Sequence, residues 1–316
     1  MAEPRPAAPR DLGIVELTSP DGELVASFAT GAGMVGCSLR HRGDEVLGIG
    51  EGLEAYLEEG AVFGVPLLYP WANRLGGWSY EAAGRTVTLD RSSPLLHADD
   101  REHCLPIHGA LAASSDWVVA EAGSDDREAW LTATLDYGED DALLAVFPFA
   151  HRVELDLRVA DGALRVTTTV DAAADPVPLS FGFHPYLAPP GAAREEWVVD
   201  VPERTEMLLD ERSLPTGEVR PREAERLELG ARTFDDLFAV RGAGTTFAVT
   251  GGGRRLTVEF GDGYPYAQVF APDDQAVICF EPMTAPVDAL RTHDGLRVLE
   301  PGGRTRARFA LRVEDA

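Results

Sequence analysis

Lysine does not occur anywhere in the 316 residues; all 28 cationic side chains are arginine. That removes Schiff-base chemistry and the phosphate-cradling GK[ST] loop. Cations of any kind are scarce beside 53 carboxylates, and the chain carries a net charge of −25. A chain this acidic has no electrostatic footprint for nucleic acid or an anionic membrane. Cysteine is nearly missing. Cys37, Cys104 and Cys279 are odd in number, widely spaced and form no CxxC, so neither a disulfide framework nor a zinc ribbon is expected. They read as three buried, reduced thiols of a cytoplasmic protein. Long apolar runs are missing too. ALLAVFPFA (142–150) is far too short to span a bilayer. MAEPRPAAPR has no apolar h-region, and residues 1–10 read as a flexible lead rather than a secretory signal. No GxSxG elbow is present, which leaves a Ser-His-Asp hydrolase without support.

What is abundant is strand alternation. In HRVELDLRVADGALRVTTTV (151–170), Val153, Leu155, Leu157 and Val159 alternate with polar residues up to Asp161-Gly162, after which Leu164 and Val166 resume the pattern. Asp-Gly between two alternating runs predicts a hairpin. Similar runs occur at 22–30, 116–122, 129–137, 245–260, 267–272, 275–282 and 306–314, with Gly, Pro and Asp between them. Helical periodicity is scarce; 44–60 holds one short candidate. With no linker and no fixed-period repeat, the pattern predicts an all-β fold, a large antiparallel β-sandwich with few short helices, as a single domain over 11–316.

Four segments place polar or ionisable residues in apolar and aromatic surroundings. GVPLLYPWANRLGGW (64–78) carries Asn73 and Arg74, a planar fork of donors suited to hydroxyls and carboxylates, with Trp71 and Trp78 as candidate faces for sugar stacking. LPIHGALAASSDW (105–117) sets His108 before Gly109, which allows close backbone approach. LSFGFHPYLAPP (179–190) places His184 before a proline, which biases it to extended backbone. VICFEPMTAPVDAL (277–290) ends an apolar run with Glu281, a carboxylate whose pKa would rise on burial. TFDDLF (233–238) adds Asp235 and Asp236. Each has a plain alternative: surface Arg with core aromatics, packed histidines, a strand-end Glu in water. The histidines show no HxH or HxxxH spacing, so a metal site would rest on tertiary placement alone.

Together and in this order, PLLYPWANRLGGW, IHG with Trp117 downstream, FGFHPYL, FDDLF and FEPMTAPVDA resemble the aldose 1-epimerase family over roughly residues 64–290. The resemblance implies a galactose mutarotase-like supersandwich with a sugar-binding cleft. It implies that His184 is the general acid at the ring oxygen and Glu281 the general base at the anomeric hydroxyl. Arg74, His108 and Asp235 would bind sugar hydroxyls, with Asn73 beside them; register decides between Asp235 and its neighbour Asp236. The implied partner is a small-molecule sugar, with no cofactor and no metal. Monomer and dimer are both open. HPY is followed here by Leu-Ala-Pro-Pro rather than the Phe-Asn-Leu of the galactose-type members, which bears on sugar preference. A related branch acts on hexose 6-phosphates; the acidic chain and the ANR after PW favour an unphosphorylated aldose. A non-catalytic sugar-binding protein on the same fold is the alternative from another class. Glycosidic hydrolysis would call for two flanking carboxylates and would leave His184 without a role.

Overall fold

The hairpin forms as its sequence predicts. His151–Ala160 and Ala163–Ala172 pair antiparallel along their whole length. Asp161 and Gly162 both take positive φ at the turn, the geometry that suits the twist of the flanking strands. Val153, Leu155, Leu157 and Val159 point inward and are fully buried. The computed structural model describes residues 12–59, 62–99, 102–112 and 114–316; the lead expected over 1–10 lies outside them.

This hairpin sits within a nine-stranded antiparallel sheet. The sheet begins at Val118–Ser124 and Ala129–Asp136, passes through the hairpin and continues with Arg304–Asp315, Arg254–Phe260, Thr245–Gly251, Val198–Val201 and Glu225–Glu228. An eight-stranded sheet faces it, in the order Pro215–Arg222, Arg204–Leu209, Phe234–Ala239, Tyr266–Ala271, Ile278–Met283, Gly182–Phe183, Leu67–Leu68, with Tyr186–Leu187 also on Ile278–Met283. The inner faces interdigitate through aromatic rings. Phe247 of the larger sheet stacks on Phe280 of the smaller at 5.3 Å, and Phe183 meets Phe309 at 4.9 Å. Such pairs contribute beyond the area they bury. A four-stranded sheet, Ile14–Thr18 to Asp44–Glu45, and three two-stranded ribbons lie beside these two sheets. The short helix expected within 44–60 is Gly52–Glu59.

The apolar run 142–150 supplies most of a second short helix, Asp141–Val146, because Asp140 caps it by accepting from the N–H groups of Ala142 and Leu143. Two expectations are corrected. Cys104 is exposed and Cys37 half-buried, so Cys279 alone of the three is buried, although all three are free thiols. Trp71 is wholly enclosed in the core; it packs at 6.5 Å from Tyr80 and offers no face to a sugar. Half-buried Trp78 carries Arg91 over one face of its ring at 5.0 Å.

Period-two alternation on the smaller sheet decides what faces away from the core. On Ile278–Met283, Ile278 and Phe280 enter the main core while Cys279, Glu281 and Met283 point to the other side. On Tyr266–Ala271, Ala267, Val269 and Ala271 are core and Gln268 and Phe270 point out. On Phe234–Ala239, Phe238 is core and Asp235 and Leu237 point out. One outer face of three adjacent strands therefore carries Asp235, Gln268 and Glu281.

Candidate active site

Strand register brings His184 to Glu281. Gly182 pairs with Met283, and Tyr186 pairs with Cys279. Residue 184 falls midway between, opposite 281. The N–H groups of His184 and Tyr186 go to the other side, to the carbonyls of Pro66 at 3.2 Å and Gly64 at 2.8 Å. By alternation, position 185 would direct its donor toward the Glu281 strand, and proline has none to leave unpaired. The side chains meet: His184 Nε2 is 3.2 Å from Glu281 Oε1. Glu281 does not end its strand, as its sequence context suggested; it lies inside one and is 1% exposed. That excludes a solvated strand-end carboxylate.

The His184 ring is held on several sides. Tyr186 stacks on it at 4.3 Å and 12°, its hydroxyl 3.5 Å from Nε2. Phe270 packs edge-on at 5.8 Å. His108 approaches at 5.5 Å and 85°. Burial pushes the His184 imidazolium down to about 3, with Arg74 adding to the effect. Burial pushes the Glu281 carboxyl well above its ordinary value, with Asp235 raising it further and Arg74 opposing. Opposed shifts of this kind assign one proton to the pair. Glu281 Oε2 and His184 Nδ1 are both enclosed and have no hydrogen-bond partner.

His108 and Arg74 come from two loops laced together. Asn73 and His108 both adopt left-handed backbone, and the His108 N–H donates to the Asn73 carbonyl at 3.0 Å. Gly109 follows in the same region. A Cβ there would stand 2.1 Å from the Tyr69 carbonyl, which accepts the Ala110 N–H at 2.7 Å. Only glycine permits that approach. Asn73 Oδ1 turns back to accept from the Arg74 backbone at 2.8 Å and from its Nη1 at 3.1 Å. Arg74 Nε donates to Asp99 at 2.7 Å, both side chains buried. The loop's far end is pinned by Asp288, whose N–H donates to the Arg74 carbonyl at 3.0 Å and whose carboxylate accepts the Gly76 N–H at 2.7 Å. Half-buried His108 is held well below its ordinary pKa by burial and by His184 and Arg74.

The structure thus gathers Arg74, Asn73, His108, His184 and Glu281. Asp235 joins them through Gln268, whose Nε2 donates to Asp235 Oδ1 at 2.7 Å. Gln268 is the direct cross-strand partner of Glu281. Asp236 points to the opposite face, where Glu206 and Arg204 influence it. Gln268, Asp99 and Tyr186 are residues that the sequence did not single out. Tyr186 had a signal, its place in HPY. Gln268 had only a polar side chain on an otherwise apolar strand. Among the described residues, no three His, Cys, Asp or Glu side chains converge in a way that could hold a metal ion. No helix among them is long and apolar enough to cross a membrane.

The architecture is that of galactose mutarotase-like proteins. A galactose mutarotase-like protein from Clostridium acetobutylicum superimposes with a TM-score of 0.82 at 19% identity, over 97% of this chain and 99% of that one. A protein from Synechocystis sp. PCC 6803 gives 0.78 at 20% identity with both chains fully covered. A galactose 1-epimerase from Lactobacillus acidophilus NCFM gives 0.74 at 14% identity, over 96% and 95%. These likenesses establish the fold. The family model described as aldose 1-epimerase matches residues 13–312, and the chain belongs to that family. Family and fold together support a mutarotase-type sugar epimerase.

Proposed function

We propose that this protein is a cofactor-independent aldose 1-epimerase of the cytoplasm that interconverts the α and β anomers of an unphosphorylated hexose such as glucose or galactose. The observation that carries the reading is the contact of His184 Nε2 with Glu281 Oε1 at 3.2 Å, buried, with Glu281 Oε2 left unpartnered. Mutarotation acts on two oxygens of one carbon, and the two groups that serve them must themselves be close. Glu281 takes the proton of the anomeric hydroxyl. The bond from C1 to the ring oxygen breaks, and His184 delivers a proton to that oxygen. The aldehyde turns about C1–C2, and the same two groups close the ring on its other face with their roles exchanged. Arg74, His108, Asp235 and Asn73, with Gln268, bind ring hydroxyls and fix the sugar's orientation, which supplies much of the rate.

Polarimetry of freshly dissolved α-D-glucose and α-D-galactose tests the reading. An enzyme-dependent approach to the unchanged final rotation is expected, lost in Glu281→Gln. Folded protein that accelerates neither sugar overturns it. Glucose 6-phosphate run in parallel decides the phosphorylated alternative. Saturable sugar binding without any acceleration would mark a binding protein instead.

A further inference from the structure

Arg74 is a fixed positive charge in a site whose substrate, on the reading above, carries none. A buried guanidinium with open donors would ordinarily make such a site a trap for carboxylates and phosphates. Its partner is Asp99, in the charged run HADDREH. Arg74 Nε donates to Asp99 Oδ2 at 2.7 Å, with side chains 9% and 4% exposed. The carboxylate is not a loose counterion. Its other oxygen accepts the Leu105 N–H at 3.0 Å, and its own N–H donates to the Leu105 carbonyl at 2.9 Å. One oxygen ties residue 99 to residue 105; the other takes the Nε side of the guanidinium fork. Nη1 donates to Asn73, and Nη2 has no protein partner among the described residues.

We propose that Asp99 sets the charge specificity of the site: it fixes Arg74 and offsets its charge, so that Arg74 donates to uncharged sugar hydroxyls and offers an anionic sugar too little net attraction to hold it. The proposal rests on the aldose reading for its biological meaning. Its physical content, an arginine whose pull on anions is offset by one neighbour, stands without turnover. A purely structural Asp99 would need only the bond to Leu105, for which charge is unnecessary.

Asp99→Asn separates the two roles, because an amide oxygen still serves Leu105 while the charge is gone. The probe is inorganic phosphate, titrated calorimetrically into wild type and variant and added as an inhibitor in polarimetry. Wild type should show no saturable binding at millimolar phosphate. Asp99→Asn should bind phosphate at least about tenfold more tightly, the worth of one charge-assisted hydrogen bond, and phosphate should compete with the sugar. Asp99→Glu should remain indifferent to phosphate, and adding Arg74→Ala to Asp99→Asn should remove the acquired binding. KM for the neutral aldose should rise in Asp99→Asn while kcat stays within a few-fold. Asp99→Ser, which keeps a smaller acceptor for Leu105, carries the same expectation if the amide variant does not fold. A folded uncharged variant as indifferent to phosphate as wild type overturns the proposal, as does tight phosphate binding by wild type. Because the calorimetric arm needs no catalysis, loss of the aldose reading and loss of the Asp99 assignment are distinguishable.

Discussion

His184 and Glu281 occupy opposed positions of one ladder, fixed on either side by the pairs Gly182–Met283 and Tyr186–Cys279. Their proton is therefore shared rather than owned. A neutral imidazole beside a carboxylic acid and an imidazolium beside a carboxylate hold the same number of protons; in the proposed reaction ring opening draws on the second form and ring closure on the first. Two independent, solvated groups would give a bell-shaped kcat/KM profile bounded near their ordinary values, about 4.5 and 6.5. Here burial drives the His184 value down to about 3 and the Glu281 value well above 4.5. The one-proton plateau should extend beyond that interval on both the acid and alkaline sides. A profile confined to pH 4.5–6.5 would show two uncoupled groups.

Glu281→Gln keeps shape and removes the proposed base. Turnover should fall by roughly 100- to 10,000-fold, the span of general-base catalysis, with sugar affinity within a few-fold; His184→Asn should behave alike. The stability change has a defined sign. The folded-state pKa of Glu281 is raised, so folding favours the protonated carboxyl. That contribution is fully present below the unfolded value and is lost as pH rises through the folded one. The variant's melting temperature relative to wild type should accordingly climb with pH. A difference independent of pH would show that Glu281 ionises as freely as in water.

Gln268→Leu tests the restraint on Asp235. The amide gives Asp235 a hydrogen bond at 2.7 Å and keeps its own oxygen enclosed and unpartnered, facing the row that holds Glu281. With leucine, KM should rise by roughly ten- to thirtyfold, the loss of one or two buried hydrogen bonds, while kcat changes less. Unaltered steady-state parameters would make the glutamine a packing residue.

His151 should add to acid lability from outside the site. It lies in the core, stacked on Tyr137 at 4.6 Å, with Nδ1 on the Phe149 carbonyl and Nε2 on the Tyr69 hydroxyl. Burial lowers its pKa from 6.5 to about 4. Folding favours the neutral ring, so its contribution is present above pH 6.5 and is lost as pH falls toward 4, amounting to about 3 kcal/mol by proton linkage. His151→Gln should be less stable at neutral pH yet show a shallower loss between pH 6.5 and 4, read by urea denaturation. Parallel slopes would place the acid transition elsewhere. Because the Tyr69 carbonyl anchors Ala110 and Leu111 beside His108, sugar affinity should weaken with the same transition.

The sheet pattern was legible because alternation is a local property. The 151–172 hairpin, the two 245–260 strands and the final strand all follow from which side chains must be buried. His108, His184, Arg74 and Glu281 were legible as misfits, polar residues in apolar company. Trp71 shows the limit of that signal. Its ring chemistry suits a sugar, but whether it faces a cleft or the core depends on the opposing sheet. Gln268 and Asp99 were illegible for complementary reasons. One is a polar residue whose importance comes from a strand-pairing register, the other an acid in a run that looks like solvent-facing loop until Arg74 folds onto it. Asp235 and Asp236 could be separated only once strand parity was known, since adjacent residues take opposite faces.

The side chains of the candidate site differ in what holds them. Glu281, Gln268 and Asp235 ride on three neighbouring strands, whose separation is set by backbone pairing and is the same in any antiparallel sheet. Arg74 and His108 ride on loops free to change length and sequence. The ladder acts as a ruler, holding the spacing of its side chains whatever surrounds it. On the proposed reading, loops can then be exchanged around that spacing to admit a different sugar, and the distance proposed for proton transfer need not be found again.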